Sequence, residues 1–362
     1  AIIQDAWVGW APGGITGPNV VYIDAGILLI PISHALLEST TNFVTADAQT
    51  DAFKFTNSNY QALRDTGLQL RGWLFNKKVG FRGGVYEGNT PASLIIGAAP
   101  INQNQQTQTG ATPPLASCNT ATNGQGTCIT PSRNPMFGGY VGIDLIGSEE
   151  GGWLYGAYKW GKDPIVSIGV ADNYQSKAVR NLNGNLNDQN IFSADLYFNF
   201  PMTEAAELVG EATYYNNSNG SNTATTGTGI SANLGYRFGN IALYGAYDYF
   251  SASDCDASNG ALTAAQTTTC LAAGAGTPHS GDTREAKVGL NYFFNKNLNH
   301  VNLEFAENHG VSTYGAGSIN AGNAGYVPLA LDPVGTGPRR AFNANLRNQA
   351  LWSLLLHWNV FF

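Results

Sequence analysis

The sequence has few charges and no long apolar run. Charged residues make up 12% of the 362 residues, about half of the roughly 25% found in ordinary soluble domains. No run of about 18 consecutive apolar residues occurs, which excludes transmembrane helices. Apolar residues are nevertheless numerous, at 43%, while the mean hydropathy is −0.14. They are therefore spread in alternation with polar residues rather than bunched.

Catalytic signatures are missing as well. The sequence contains no G-x-S-x-G elbow, no HExxH motif and no Walker loop. The sequence therefore predicts a protein that is not an enzyme and that holds no cofactor or metal. One alternative stays open, a lipase whose Ser and His would meet across strands. The five histidines are scattered, at His34, His279, His300, His309 and His357.

The chain ends on the stretch LWSLLLHWNVFF, from Leu351 to Phe362, which alternates with a period of two. One parity is wholly apolar, and the other is mixed, with Ser353, His357 and Asn359. Such a period indicates a β-strand with one apolar face. The apolar positions are Trp352, Leu354, Leu356, Trp358 and Val360.

Similar alternation recurs along the chain. The stretches are about nine or ten residues long, which suits a tilted strand that crosses a bilayer. An apolar outside and a polar inside are typical of a membrane β-barrel. The clearest stretches are 66–74, 79–87, 136–145, 192–200, 208–215, 230–238, 241–250, 285–294 and 301–306.

The connections between these stretches fall into two classes. Short turns on one side and long loops on the other are typical of outer-membrane barrels. The sequence therefore predicts one all-β domain over 1–362, an antiparallel transmembrane β-barrel of about 16 strands (14–18), with short periplasmic turns and long extracellular loops. A soluble β-sandwich is the alternative. The short connections are 76–78, 201–207, 239–240 and 295–300, and the long ones are 31–62, 88–135, 175–190, 251–283 and 307–345.

Strands counted back from Phe362, with all long loops on one side, number thirteen, and the stretch 153–160 then lies within a periplasmic connection. A barrel with both ends on one side needs an even number. Either one strand has escaped the count or residue 1 lies downstream of the mature start. The opening AIIQDAWVGW has no basic region and no hydrophobic core, so no signal peptide is visible.

The four cysteines form two close pairs within the long connections. Cys118 lies near Cys128, and Cys255 lies near Cys270, in segments rich in Ser, Thr, Asn and Gly. Zinc sites use tighter spacing or a histidine partner. We therefore expect two local disulfides on the side of the long loops, each contributing about 3 kcal/mol against loop disorder, in an oxidising compartment. Four unpaired thiols are the alternative.

Charges of both signs fall on the parity that faces away from lipid. A sealed core would make each such charge costly unless it is paired, so a water-filled lumen with a wall of mixed sign is the simpler interpretation. Arg71 and Arg82 lie at equal distances from the NKK turn at 76–78 and should form a small basic cluster, unless each pairs with a carboxylate. The predicted pore-lining residues are Asp24, Asp65, Asp144, Asp195, Glu211, Asp248, Glu285, Glu304, Arg71, Arg82, Arg237, Lys287 and Arg347.

Three stretches resemble the phosphate-selective porin O and P family. In YIDAGILLIPISHALLES, the residues Gly26 and Pro31 match a Gly-x-x-x-x-Pro core. The stretch RDTGLQLRGWLFNKKVGFRGGVYEGN matches an Arg-Asp-x-Gly strand with its hairpin, and KDPIVSIGVADNYQ is similar to a further strand. The residues after the proline, Ile32 and Ser33, depart from the family pattern. The resemblance implies a porin of the outer membrane of a Gram-negative bacterium, in which the aromatic end with Trp358, Val360 and Phe362 serves as an assembly signal.

The sequence thus predicts an outer-membrane porin, a water-filled channel for passive diffusion of ions and small hydrophilic solutes. Its partners would be outer-membrane lipid, small ions and solutes and two further copies in a homotrimer, with no nucleic acid. No clustered arginines or lysine ladder is present, so weak or slightly cationic selectivity is expected, although Lys54, Arg339 and Arg340 lie in long loops. Two alternatives remain: a barrel plugged by 88–135 that acts as a binding or assembly scaffold, and an anion- or phosphate-selective channel.

Overall fold

The computed structural model describes residues 6–38, 44–45, 64–88, 134–149, 155–161, 163–180, 186–220, 226–252, 283–309 and 351–360. These residues form one antiparallel sheet of 13 strands, in which each strand pairs with the next along the chain. The strands are β1 (Ala6–Trp10), β2 (Val20–Leu29), β3 (Arg64–Leu74), β4 (Val79–Tyr86), β5 (Met136–Ile146), β6 (Ile165–Arg180), β7 (Leu186–Thr203), β8 (Ala206–Ser218), β9 (Gly227–Phe238), β10 (Ile241–Ala252), β11 (Thr283–Asn295), β12 (Asn299–His309) and β13 (Leu351–Val360).

The all-β antiparallel prediction is confirmed. The thirteen strands agree with the count along the sequence and are fewer than the sixteen expected of the barrel. Within the described ranges no ladder joins β1 to β13, so the sheet is not closed there. Residues 155–160 lie between β5 and β6 and belong to no strand, as predicted.

Helical structure in the described residues is limited to one 3-10 turn, Ala35–Leu37. No helix in that part of the chain is long and apolar enough to cross a membrane.

Successive connections alternate between the two ends of the sheet. We call these the short-turn end and the long-loop end. The connections at the short-turn end join β1 to β2, β3 to β4, β5 to β6, β7 to β8, β9 to β10 and β11 to β12. The connections at the long-loop end join β2 to β3, β4 to β5, β6 to β7, β8 to β9, β10 to β11 and β12 to β13.

One predicted long loop, 175–190, is largely strand. The ladder of β6 and β7 continues after a bulge to Val179 opposite Asn187 and Arg180 opposite Leu186. Only 181–185 separates the two strands. Beyond residue 174 the strands extend past the apolar part of the sheet, so apolar and polar residues no longer alternate. The backbone hydrogen bonds between the strands continue because they do not depend on apolar side chains.

The two faces of the sheet differ in polarity as the period of two predicts. On β3, Leu68 and Leu70 are exposed on the outer face, while Gln69 and Arg71 are buried on the inner face. Trp358 on the last strand is also exposed on the outside. On the described strands, the exposed charged side chains are Asp172, Lys177, Asp188 and Arg284.

The inner face packs against two chain segments, 30–38 and 155–160, which together we call the insert. The first segment follows β2, and it forms hydrogen bonds with three successive strands. Asn173 on β6 donates to the carbonyl at position 31, with a distance of 3.0 Å, and Ser193 on β7 donates to the carbonyl at position 32. Tyr215 on β8 bonds the hydroxyl of Ser33 at 3.0 Å.

The second segment of the insert shows that the sheet curls around it. Arg82 on β4 lies 5.4 Å from the ring centroid of Tyr155, and Tyr158 lies 5.5 Å from the ring of Phe293 on β11. Seven strand spacings would separate β4 from β11 by about 34 Å in a flat sheet. Three residues span about 10 Å at most, so the two strands must approach each other across the inner face.

The start of the sheet depends on a glycine. Gly26 on β2 has φ +138°, and a Cβ there would overlap the carbonyl oxygen of Ala6 on β1. Gly26 pairs with Trp7 in the ladder, so the close approach of these two strands requires the absence of a side chain.

Candidate functional site

The predicted wall charges lie on the inner face, where the structure describes twelve of the thirteen. Asp65 and Asp144 are half-buried, and Arg347 lies outside the described residues. The remaining ten are buried, whereas the walls of a wide aqueous pore would be exposed to solvent. Their role in lining a pore stays a prediction. The buried members are Asp24, Asp195, Glu211, Asp248, Glu285, Glu304, Arg71, Arg82, Arg237 and Lys287.

Arg71 and Arg82 face each other across β3 and β4, as the sequence predicted. The Nε atom of Arg71 donates to Asp24 Oδ2 at 2.5 Å, and its guanidinium lies 4.0 Å from the ring centroid of Tyr22. The charge of Arg71 is therefore compensated locally. On the inner face of β11, Lys287 pairs with Glu285 at 3.0 Å.

A second buried pair connects the wall to the insert. Arg237 on β9 lies directly opposite Glu207 on β8, and their Nε and Oε1 atoms are 2.5 Å apart. Glu207 also accepts from the backbone N–H groups of Lys159 and Trp160, both at 3.1 Å. The guanidinium of Arg237 lies 4.3 Å from the ring of Trp160. One ion pair thus holds two strands and one segment of the insert together.

The centre of the insert is His34, which contacts three carboxylates from distant parts of the chain. Its Nδ1 lies 2.5 Å from Glu211 Oε1 on β8, and its Nε2 lies 2.8 Å from Glu149 Oε2. Its backbone N–H donates to Asp195 Oδ2 on β7 at 2.9 Å. An imidazolium donates a hydrogen bond from each ring nitrogen, and this arrangement suits two ionised carboxylates, which only accept hydrogen bonds.

Two tyrosine rings enclose this imidazolium. Tyr155 stacks on one side at a centroid distance of 4.7 Å, and Tyr197 stacks at 4.4 Å. Aromatic faces attract a cation, so rings and carboxylates favour the same charge state. Burial alone would lower the pKa of His34, but Glu149 and Glu211 outweigh burial and hold that pKa well above its usual value.

The carboxylates around His34 differ from one another. Burial would raise the pKa of Glu149, but His34 and Lys159 together lower it, and the Lys159 ammonium lies 3.0 Å from Glu149 Oε1. The pKa of Glu38 is raised well above its usual value, chiefly by burial and then by Glu211. These residues form a buried charged cluster rather than an exposed wall.

Sequence reasoning missed the cluster. The sequence predicts a loop for His34 and a short turn at 201–207 for Glu207, whereas the structure places Glu207 in β8. It predicts no role for Glu149 or Lys159. Their separations along the chain, such as 115 and 177 residues from His34 to its two partners, leave no local spacing to recognise.

Other predicted features lie partly beyond the described residues. The four cysteines fall in 89–133 and 253–282, so their pairing stays a prediction. Phe362 is outside the described residues, and Val360 is the last residue of β13. Trp358 is exposed, and its indole N–H donates to Asn299 Oδ1 at 2.9 Å.

No protein-family model and no curated protein matches the chain, so membership of the phosphate-selective family is not established. Among solved structures, OprB of Pseudomonas putida aligns with a TM-score of 0.49 and 9% identity, over 86% of this chain and 69% of that one. OmpT of Vibrio cholerae aligns with a TM-score of 0.41 and 9% identity, over 83% and 72%. The outer membrane channel DcaP of Acinetobacter baumannii gives 0.37 and 10%, over 84% and 79%. At these identities the similarity assigns no substrate.

Proposed function

We propose that the protein spans the outer membrane of a Gram-negative bacterium as a channel-forming β-barrel. The observation that carries the proposal is an apolar outer face bounded by two belts of exposed aromatic residues, which is the arrangement of strands that face lipid. The belt at the short-turn end contains Trp10, Phe75, Phe200, Phe238, Phe294 and Trp358, and the belt toward the long-loop end contains Phe137, Tyr174, Phe192, Tyr214 and Tyr247.

The distance between the belts fits a bilayer. On β7, Phe192 and Phe200 face outward with Leu196 midway between them. Eight residues of strand span about 27 Å, which corresponds to a height of about 20 Å at a tilt near 40°. The apolar band of outer-membrane barrels is roughly 25 Å tall.

Substitution at two depths of β7 tests whether this face contacts lipid. Leu196→Arg should lower the free energy of unfolding of the protein in lipid vesicles by about 2–4 kcal/mol, because the charge lies at the midplane. Phe200→Arg, on the same face but in the belt, should cost only about 0–1 kcal/mol. Leu196 is 41% and Phe200 39% exposed, so burial in protein does not separate them. Equal costs for the two variants would contradict a lipid-facing β7.

The polar inner face supports passive diffusion of ions and small hydrophilic solutes. Mixed charges on that face bias permeation without bond chemistry. Among the described wall residues, carboxylates outnumber basic groups by eight to four. At 0.15 M salt the screening length is about 8 Å, so the expected selectivity is weak and favours cations.

Planar-bilayer recording tests the channel directly. We expect discrete, stable conductance steps and a reversal potential on the cation side under a tenfold KCl gradient, at a fraction of the roughly 59 mV of an ideally selective pore. A strongly anionic value, or block of chloride current by added phosphate, would show that basic groups control the constriction. Cross-linking in native membranes tests the homotrimer that belongs to the same proposal.

The insert favours one second candidate, a plugged barrel that serves as a binding or assembly scaffold. Ile30, Ile32 and Leu36 pack in one apolar cluster with Tyr86 and Tyr215 on the inner face. An apolar cluster inside a barrel excludes water from part of the lumen. Electrical silence of correctly folded protein in planar bilayers would favour the scaffold, whereas stable steps would exclude it.

A further inference from the structure

Three possible metal ligands converge where the insert meets the wall. One ring nitrogen of His34 and one carboxylate oxygen each from Glu38 and Glu211 lie within 4.8 Å of one another, and all three residues are buried. Two of the three belong to the insert, and Glu211 belongs to β8. The set therefore bridges the insert and the wall.

The Glu38 carboxylate indicates that a partner is required here. Glu38 is 3% exposed, and Oε1 has no hydrogen-bond partner among the described residues. A buried carboxylate oxygen without a partner is costly, and such groups in folded proteins usually have a compensating ligand or bond. His34 and Glu211 have hydrogen bonds, so Glu38 is the member of the set with unused binding capacity.

We propose that His34, Glu38 and Glu211 bind a divalent transition-metal ion, with Zn²⁺ as the preferred occupant. One imidazole and two carboxylates form a donor set that Zn²⁺ accepts, whereas Mg²⁺ and Ca²⁺ are bound by oxygen ligands alone. Three protein ligands leave a fourth position for water.

The surroundings of His34 match those of a metal-bound histidine. The Nε2 atom lies 2.8 Å from Glu149 Oε2, so Nε2–H donates to a carboxylate while Nδ1 is directed at Glu211. A carboxylate–histidine–metal triad of this kind fixes the ring and strengthens the ligand. The backbone hydrogen bond from His34 to Asp195 also holds the ligand loop in place.

The site needs a small rearrangement to bind the ion. With zinc–ligand distances of 2.0–2.2 Å, tetrahedral donors are about 3.3 Å apart. The Nδ1 atom of His34 and Oε1 of Glu211 are 2.5 Å apart, so the two atoms must separate by nearly 1 Å to admit the ion between them. Zn²⁺ binds deprotonated ligands, so the proton on Nδ1 and any proton on the two carboxyl groups are released to solvent as the ion enters. The bound ion then fastens the insert to β8.

Zinc titration of the untagged, full-length, metal-stripped protein tests the site. We expect one equivalent of Zn²⁺ to bind and to raise the midpoint of thermal unfolding, because the ion binds only the folded chain. X-ray absorption at the zinc edge should show one imidazole nitrogen at about 2.0–2.1 Å. Glu38→Gln, which is isosteric, should weaken Zn²⁺ binding by at least about tenfold.

The control is Glu307→Gln, a half-buried glutamate on β12, which should leave the affinity for Zn²⁺ unchanged. Glu211→Gln gives a second variant if Glu38→Gln does not fold, since either change removes one ligand. Three results would each overturn the proposal: no stoichiometric binding, equal affinity of wild type and folded ligand variants, or Mg²⁺ or Ca²⁺ binding as tightly as Zn²⁺.

Discussion

Arg237→Met should lower the free energy of unfolding by about 3–5 kcal/mol, because it leaves the buried carboxylate of Glu207 without its cation. Both side chains are at most 2% exposed, so water cannot replace the guanidinium. The same side chain donates from Nη1 to the carbonyls of Ala205 at 3.1 Å and Gly239 at 2.9 Å. Its loss therefore also releases the two neighbouring short turns. Urea-induced unfolding in lipid vesicles measures the change.

A matched pair of variants shows whether burial of the ion pair is the cause. Arg284→Met removes an exposed arginine from β11 and should change stability by less than about 0.5 kcal/mol. The double variant Arg237→Met with Glu207→Gln should recover part of the loss, because no buried charge then remains unpaired. A double variant as unstable as the sum of its two single variants would contradict the coupling.

The faces of the sheet were predictable because strand geometry is local. Side chains alternate across a strand, so Leu68 and Gln69 were assigned to opposite faces from neighbouring letters alone, and the structure places them there. The cross-strand meeting of Arg71 and Arg82 followed from equal distances to one turn, which fixes the register of a hairpin. These inferences need no knowledge of distant residues.

Strand ends were less predictable than strand faces. The prediction stopped β6 near residue 175 because the apolar alternation stops there. In the structure, polar contacts continue the pairing: Asp188 accepts from the Tyr174 hydroxyl at 2.8 Å and from the Ser176 hydroxyl at 3.0 Å. Where a strand extends beyond the apolar band, its backbone stays paired but its apolar residues no longer alternate with polar ones. The sequence therefore gives no signal of where such a strand ends.

The insert was not predictable from periodicity at all. The alternation along a strand predicts which face of the sheet a residue occupies. Glu149 and Glu211, the partners of His34, are brought together only when the sheet curls. From the sequence, buried charges are costly unless they are paired, and a water-filled lumen is therefore the simpler prediction. The structure uses ion pairs and the insert instead, which is why the wall residues are buried.

His34→Ala should release the insert and open a larger conductance level. The substitution removes the cation between Glu149 and Glu211 and the ring between Tyr155 and Tyr197. Breaking a buried pair costs about 3–5 kcal/mol, which shifts the ratio of docked to released insert by about 100-fold or more. Single-channel recording in chelator should show a second, larger step that is rare in wild type.

The control is His357→Ala, a half-buried histidine on β13, which should leave the step size unchanged. The larger step in His34→Ala should also be more cation-selective, because the released insert leaves Glu149 and Glu211 without the imidazolium. Wild-type protein that is prepared and recorded in the same way should show mainly the small step. If His34→Ala folds and conducts as wild type does, the insert does not lie on the permeation path, and ions must pass the inner face elsewhere.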